Sequence, residues 1–524
     1  MAVAAIAGVY IGRYCGRQSA LDVQVQQSSP SPMLPMVGSQ DKMQTIMSLI
    51  KNQYVDEVNT DTLVEELIPK VLEKLDPHSV YIPAKDFERV NDDLKSGFGG
   101  IGVMFSIQDD TINVISVVAG GPSSHLGVMP GDKIIKVDGK NFVGDTITND
   151  VVLNNLRGEV GTNVDITVLR DGSSIDFSIT RGVIPVSSVD VSYLIEPGVG
   201  YMRIDRFAEK TYEEMLRGVA KLKAEGCETL IVDLRSNSGG LLDVVINMCN
   251  EFLSAGDLIV YTEGTHQRRE EARSNGVGTS QRLGLVVLID EYSASASEIF
   301  AGAIRDNDRG TVIGRRSFGK GLVQTQIPLG DKSAVRLTVA RYHTPSGRCI
   351  QRPYDEGVAS YYDELYKRYE SGELFEADSV KFDQSQRFTT KNGRTVFGGG
   401  GIMPDIFVAR DTTKASDYLY RLRAKGIIYK FAIDYSDKHR KELSDMTTQQ
   451  LIDYLLDLDV MPQLTSFASG RGVKGKCDAE ERKIINREVT AYIGRNIKDN
   501  DAFYPILNVD DPAVLKALEV IHGK

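Results

Sequence analysis

The feature that most constrains the fold is an alternation of strand and helix patterns between about residues 185 and 350. Short apolar runs such as Thr229–Leu234 are typical of buried strands, and segments of helical spacing separate them. Such alternation indicates an α/β domain, in which helices cover the sheet. The predicted strands are 198–204, 229–234, 285–289, 311–314 and 334–340, with a return strand at 398–408, and the predicted helices are about 210–225, 241–254 and 296–306.

A chain of 524 residues is too long for one core and predicts three or four domains. Changes of pattern along the chain set the expected boundaries. These are a tether over 1–37, a helical arm over 38–96, a β-rich domain over 97–184, the α/β core over 185–410 with an insertion at 352–396, and a helical extension over 411–524.

The composition of the chain argues against several classes of function. The net charge of −11 leaves no basic footprint for nucleic acid. None of the six histidines pairs with another at metal-ligand spacing, which disfavours a zinc peptidase, and we expect no cofactor. A Ser-His-Asp triad is the alternative catalytic arrangement, and it would need one of these scattered histidines. Five cysteines without a Cys-x-x-Cys motif imply neither a disulfide framework nor a particular compartment.

The first residues bear on location. Ala2–Gly12 is apolar but too short to span a bilayer, which takes about 20 residues. We expect a clipped signal-anchor followed by a disordered tether from Gln18 to Pro35, with a buried or frayed terminus as the alternative. An anchor of this kind would tether the protein to the inner membrane on its extracytoplasmic, periplasmic side.

A serine and a lysine carry the candidate chemistry. Ser295 lies in the run Ser-Ala-Ser-Ala-Ser-Glu298, and Lys320 stands between two glycines twenty-five residues later. Serine needs a base to take its proton, and lysine serves as that base only when burial keeps it neutral. Ser295-x-x-Glu298 also fits a plain helix capping box. The two readings are compatible, because a helix N-terminus would direct the Ala296 amide toward an oxyanion.

A Gly-Gly turn supplies a second candidate oxyanion donor. Gly239 and Gly240 follow the predicted strand 229–234, and glycine leaves backbone N–H groups unobstructed. A phosphate-binding reading of Gly-Lys320-Gly is weak, because a glycine stands where the P-loop motif requires a Ser or Thr directly after the lysine.

Together these segments resemble the signature blocks of the carboxyl-terminal processing (tail-specific) proteases, in order and in spacing. The blocks are Asp233–Gly240, Ser293–Glu298 and Ser317–Gln324, within a resemblance that covers roughly residues 40–410. It implies a crotonase/Clp-protease-like core in which Ser295 is the nucleophile, Lys320 the base and Gln324 the residue that orients the lysine.

The β-rich segment resembles a PDZ domain. Its glycine-rich stretch would bind a terminal carboxylate through backbone amides, while the peptide adds a strand to the sheet edge. The expected peptide-binding residues are Gly99, Gly100, Ile101, Gly102 and Arg157. A helix over 150–157 would form the other wall of the groove. Arg157 would report its occupancy, and a plain solvated arginine is the alternative.

Three further segments are less informative. Leu75–Ser79 breaks the helical pattern and resembles the family's helical arm, although an ordinary hairpin fits equally well. The insertion at 352–396 and the residues beyond 411 depart from the short family pattern. Beyond 411, helices are predicted at 418–422, 450–456 and 513–521. That extension is a packing cap by default, with a dimer element or a substrate gate as alternatives.

The predicted function is that of a serine endopeptidase which engages proteins through unstructured, apolar C-terminal tails. A catalytically inactive PDZ-type scaffold on the same fold is the alternative. We expect no nucleic-acid partner, and we expect the anchor alone to contact the membrane. Assembly into a homo-oligomer and binding to an adaptor are left as alternatives.

Overall fold

The computed structural model describes residues 42–92, 94–108, 110–118, 120–170, 172–410 and 416–523. The expected signal-anchor and tether over 1–37 lie outside these ranges. Within them, no helix combines the length and the apolar character that a membrane crossing requires.

The first of two compact units ends at Leu67. It contains helix α1 (Lys42–Gln53) and the start of α2 (Thr60–Leu72). The Asn59 carboxamide oxygen accepts from the N–H groups of Asp61 and Thr62, and so satisfies two free donors at the start of α2. Both helices lie within the range of the predicted helical arm, 38–96.

The second unit begins with the rest of α2 and a turn over residues 76–79. Strand β1 (Val80–Ile82) and helix α3 (Phe87–Asp92) follow. Strand β1 pairs antiparallel with β18 (Ala334–His343), with Val80 opposite Arg336. Helical spacing did not predict this strand, because three residues are too few to show a period of two.

The β-rich domain contains an antiparallel sheet ordered β3-β4-β5-β7-β8, in which β6 also pairs with β5. Its strands are β3 (Val103–Gln108), β4 (Thr111–Val117), β5 (Lys133–Val137), β6 (Lys140–Asn141), β7 (Asn163–Arg170) and β8 (Ser173–Thr180). A separate ribbon joins β2 (Gly97–Gly100) to β9 (Gly182–Pro185), and the helices are α4 (Pro122–Leu126) and α5 (Asn149–Leu156). Strand β3 stands at a sheet edge, the position that a bound peptide would extend.

The core is a six-stranded sheet ordered β10-β11-β12-β15-β16-β21. Its strands are β10 (Val189–Glu196), β11 (Val199–Ile204), β12 (Thr229–Asp233), β15 (Gly284–Ile289), β16 (Thr311–Gly314) and β21 (Ile406–Phe407). The strands from β11 to β21 run parallel. Helices α6 (Thr211–Ala224), α7 (Leu242–Phe252) and α8 (Ala296–Asp306) pack on one face. The predicted α/β core is confirmed.

Two details differ from the expected pattern. The predicted strand at 334–340 is β18, and it lies in a second sheet with β1, β13 (Leu258–Glu263), β14 (Glu270–Arg273) and β17 (Leu322–Pro328). The predicted return strand at 398–408 is regular only in β21. The φ angles of Gly399 and Gly401 are +75° and +83°, which lie outside the β region.

The insertion folds as helix α9 (Val358–Glu370) and a ribbon of β19 (Arg387–Thr389) and β20 (Thr395–Phe397). The helices of the extension are α10 (Asp417–Ala424), α11 (Ile427–Ser444), α12 (Thr448–Asp457), α13 (Met461–Gly470), α14 (Ala479–Lys498), α15 (Asn500–Asn508) and α16 (Pro512–Ile521). They form a helical region with its own apolar core.

The last helix covers the second face of the core sheet. Val514 and Ala517 of α16 pack in one buried cluster with Tyr201, Ile231 and Leu288 from β11, β12 and β15. Alternate residues of these strands face α6–α8 on the other side. The extension therefore completes the three-layer α/β core and is more than an appended domain.

Candidate active site

The three sequence blocks meet at one cavity of about 990 Å³. Its lining includes all six residues predicted for catalysis and for oxyanion binding: Ser295, Lys320, Gln324, Gly239, Gly240 and Ala296. These residues come from the loop after β12, the start of α8, and the loop and strand at β17. In parallel sheets such sites form at the carboxyl ends of the strands, and β12 and β15 end here.

Ser295 occupies the N-cap position of α8 with φ +54° and ψ −113°. A non-glycine residue at positive φ is strained, typically by about 1–3 kcal/mol. Hydrogen bonds on either side hold it there, since the Ala294 N–H and the Ser297 hydroxyl both donate to the Asn237 carbonyl. The strain is thus imposed by the packing of the two neighbouring segments.

Glu298 fastens the serine and lysine blocks together. One of its carboxylate oxygens accepts from the N–H groups of Ser295 and Lys320, at 2.8 and 2.9 Å. The other accepts from the Gly319 N–H and the Ser317 hydroxyl. The side chain is fully buried, and burial raises its pKa to about 7 while these hydrogen bonds act to lower it. The predicted capping residue is therefore also a bridge between the two blocks.

Lys320 has the environment that a lysine base requires. Burial, with a smaller contribution from Arg336, lowers its pKa to about 8, against the opposing charges of Glu298 and Asp76. No hydrogen bond or ion pair engages its Nζ within the described ranges, so Ser295 and Lys320 share the cavity without a direct bond. The hydroxyl of Tyr342 lies 3.2 Å from the Ser295 carbonyl and also contacts the Lys320 carbonyl.

The two glycines of the Gly-Gly turn are not equivalent. The Gly239 N–H donates to the side chain of Asn237 at 2.8 Å. Among the described residues, the N–H groups of Gly240 and Ala296 donate to no protein acceptor. A Cβ on Gly239, whose φ is +103°, would lie 2.8 Å from the Ser295 Cβ and 2.9 Å from the Ala296 nitrogen. The turn must therefore be glycine for the two segments to approach this closely.

Gln324 lines the cavity but does not bond to Lys320. Its Nε2 donates to the Thr338 hydroxyl on the neighbouring strand at 3.3 Å. The orienting role implied by the resemblance stays a prediction. No local pattern in the sequence indicates four other groups that lie near Lys320. Asp76 and His78 come from the turn before β1, and Thr338 and Arg336 come from β18.

Similarity to known proteins agrees with this geometry. Residues 198–360 match Peptidase family S41. A carboxy-terminal-processing protease of Bartonella bacilliformis is 39% identical over 58% of this chain and 71% of its own length. The carboxy-terminal processing protease CtpB of Bacillus subtilis is 30% identical over 78% of this chain and 86% of its own length.

The chain belongs to the carboxy-terminal processing proteases of family S41. The predictions of the family, of the fold class and of a serine peptidase are confirmed. Other segments of this S41 protease match the PDZ domain (99–180), the activating protease CtpB N-terminal domain (1–86) and a family of unknown function (418–499). A solved photosystem II D1 C-terminal processing protease is 24% identical over 71% of this chain and 94% of its own, with a TM-score of 0.37.

In the PDZ domain of this protease, Gly99 and Gly100 lie in β2 and pair with β9. Ile101 is buried, and Gly102, with φ +77°, directly precedes the edge strand β3. Arg157 follows α5, and its guanidinium lies 3.8 Å from the centre of the Phe98 ring. Arg157 is therefore a stacked side chain and not a plain solvated one, while its predicted role in reporting occupancy stays a prediction.

Proposed function

We propose that this S41 protease cleaves peptide bonds with a Ser295–Lys320 dyad. The single observation that carries the proposal is a largely buried lysine, engaged by no ion pair within the described residues, in the same cavity as a strained serine. A lysine whose pKa is near 8 is partly neutral at physiological pH and can accept a proton.

In the proposed reaction, the neutral Lys320 Nζ takes the Ser295 proton as Oγ attacks the peptide carbonyl carbon. The tetrahedral oxyanion accepts from the free N–H groups of Gly240 and Ala296, whereas the Gly239 N–H is already used by Asn237. The Lys320 ammonium then gives its proton to the departing amine, which leaves an acyl ester on Ser295. Water, deprotonated by Lys320, hydrolyses this ester and restores the serine.

The test compares two variants. Ser295→Ala removes the nucleophile, and Lys320→Arg keeps a positive charge that cannot be removed near neutral pH. Each should lower the cleavage of unfolded casein by at least about 10³-fold with an unchanged melting temperature. Near wild-type cleavage by folded Lys320→Arg would refute the dyad. A wild-type protein without cleavage would favour the inactive scaffold.

We also propose that the PDZ domain selects substrates by an unstructured, apolar C-terminal tail. The open edge of β3, preceded by Ile101 and Gly102, supports this mode because a peptide can pair with the strand while its carboxylate meets backbone amides. One unfolded substrate should be compared with a free and with an amidated C-terminus. Equal kcat/KM for both forms would refute tail selection and leave the protease assignment intact.

The proposed location is the extracytoplasmic side of the inner membrane, with the anchor in Ala2–Gly12. Its support is the apolar sequence of that segment followed by a polar tether. Fusion of a reporter enzyme that is active only outside the cytoplasm, after residue 523, tests it. An inactive reporter on a fully expressed fusion would contradict this location.

A further inference from the structure

The turn between α2 and β1 reaches the catalytic cavity. Pro77 and His78 line the cavity, and Asp76 is buried beside them with an exposed fraction of 7%. One Asp76 oxygen accepts from the N–H groups of His78 and Ser79, both at 2.8 Å, and the other accepts from the Ser79 hydroxyl at 2.6 Å. The carboxylate therefore shapes the turn, but these three bonds leave it able to accept another.

That further bond comes from Thr338. Its hydroxyl donates to Asp76 at 3.1 Å, and its N–H donates to the Ser79 hydroxyl at 3.1 Å. The contact forms because β1, directly after the turn, pairs with β18. Gln324 stands opposite Thr338 in the β17–β18 pair and donates its Nε2 to the same hydroxyl.

The chain of bonds has a fixed direction. An ionised carboxylate only accepts hydrogen bonds, so the single Thr338 hydroxyl proton points to Asp76. The Thr338 oxygen must then accept, and Gln324 must present its NH₂ group to it. The Gln324 Oε1 consequently remains as an acceptor, which is the group that a lysine ammonium needs.

The same carboxylate acts on Lys320 through space. The charged and titratable groups that face the lysine are Asp76 and His78 from the turn, Glu298 from α8, and Arg336 and Tyr342 from β18. Asp76 and Glu298 raise the pKa of Lys320, and burial and Arg336 lower it. Burial, and next the lysine charge, lower the pKa of His78 to about 4, so this imidazole is neutral at working pH.

We propose that Asp76 and Thr338 are positioning residues of the peptidase, which orient the Gln324 amide toward Lys320 and set the charge around the base. This inference rests on the proposed dyad and extends it to a turn that lies more than 200 residues before the catalytic serine. A segment of the helical arm thereby becomes part of the catalytic apparatus.

The first test substitutes Thr338. Thr338→Val keeps the shape but removes the hydroxyl, so Gln324 loses its acceptor and kcat should fall about tenfold with KM within about twofold. Thr338→Ser restores the hydroxyl and should recover most of kcat. Thr325→Val, on the exposed face of β17 beside Gln324, is the matched control and should leave kcat unchanged. A serine variant as slow as the valine variant would show a packing role and overturn the proposal.

The second test is a pH profile of Asp76→Asn, read only in protein that unfolds at the wild-type temperature. Loss of the negative charge favours neutral Lys320, so the midpoint of the rise in kcat with pH should move down by about 0.5–1 unit. An unmoved midpoint would overturn the electrostatic part of the proposal. If Lys320→Arg is itself active, the dyad fails independently of either result.

Discussion

The two walls of the catalytic cavity are assembled differently. The serine wall consists of residues 236–240 and 293–298, which follow two adjacent parallel strands. The lysine wall consists of residues 317–324, and it is completed by the turn at 76–79 and by β18. Ser295 and the N–H groups beside it are thus held by local turns, whereas the environment of Lys320 depends on contacts between distant segments.

The largest effect is expected where the two walls join. Glu298→Ala leaves four donors of the two walls without their acceptor in a fully buried site. We expect a loss of about 3–5 kcal/mol of unfolding free energy and of nearly all activity. Chemical denaturation measures the unfolding free energy, and casein cleavage measures the activity. Glu251→Ala, which removes a buried acceptor of three other donors near the end of α7 and away from the cavity, is the control. Equal losses in both variants would mean that the walls are not joined through Glu298.

The serine wall alone is tested by Gly240→Ala. A Cβ there would lie 2.1 Å from the Phe207 carbonyl oxygen, so the turn must shift and displace the free Gly240 N–H. Loss of one oxyanion donor lowers kcat by about 10²–10³. Gly330→Ala, where nothing lies within 4 Å, controls for the substitution itself. A kcat within threefold of wild type for Gly240→Ala would assign the donor elsewhere.

The lysine wall alone is tested by pH. The proposed base, Lys320, would work when neutral, and its pKa of about 8 means that the neutral fraction rises with pH around this value. Between pH 7 and pH 9 the fraction, and with it kcat, should increase about tenfold. Single-turnover cleavage of a peptide across this range measures it. A plateau already reached at pH 7 would contradict a lysine base and favour a histidine.

The smallest effect is expected behind the serine wall. Arg235, just before the loop 236–240, donates to both Asp233 and Asp511 of the extension. Asp511→Asn removes one of two negative partners of a largely buried arginine and should cost about 1–2 kcal/mol of stability, with kcat changed less than fivefold. Asp510→Asn, in an exposed pair with Arg487, is the control. A larger kcat loss in Asp511→Asn would show that the extension tunes the serine wall.

Sequence reasoning found what is local. The blocks around Gly240, Ser295 and Lys320 are contiguous sequence patterns, and each of them lines the cavity. Sequence could not choose between Gly239 and Gly240 as the proposed oxyanion donor, because the choice depends on where the Asn237 side chain bonds. It also missed the Asp76–Thr338 contact, since no local pattern encodes a bond between residues 262 positions apart.

The same restriction to local patterns explains where the prediction of the fold was wrong. The strand expected over 398–408 shrank to Ile406–Phe407 because the glycines before it take left-handed backbone angles. The helices of the extension were predicted in part, at 418–422, 450–456 and 513–521. That α16 belongs to the core sheet could not be predicted, because apolar periodicity shows which face is buried and not what buries it.

The position of α16 has a consequence for the order of events during synthesis. The strands that it covers are complete by Gly314, and roughly 200 more residues must follow before α16 is made. Chains are synthesised at about 5–20 residues per second, so one face of the nascent sheet stays uncovered by α16 for roughly 10–40 s. During that interval the apolar residues of the strands are without the helix that covers them. Both faces of the core sheet are therefore covered only after the chain has been made nearly to its last helix.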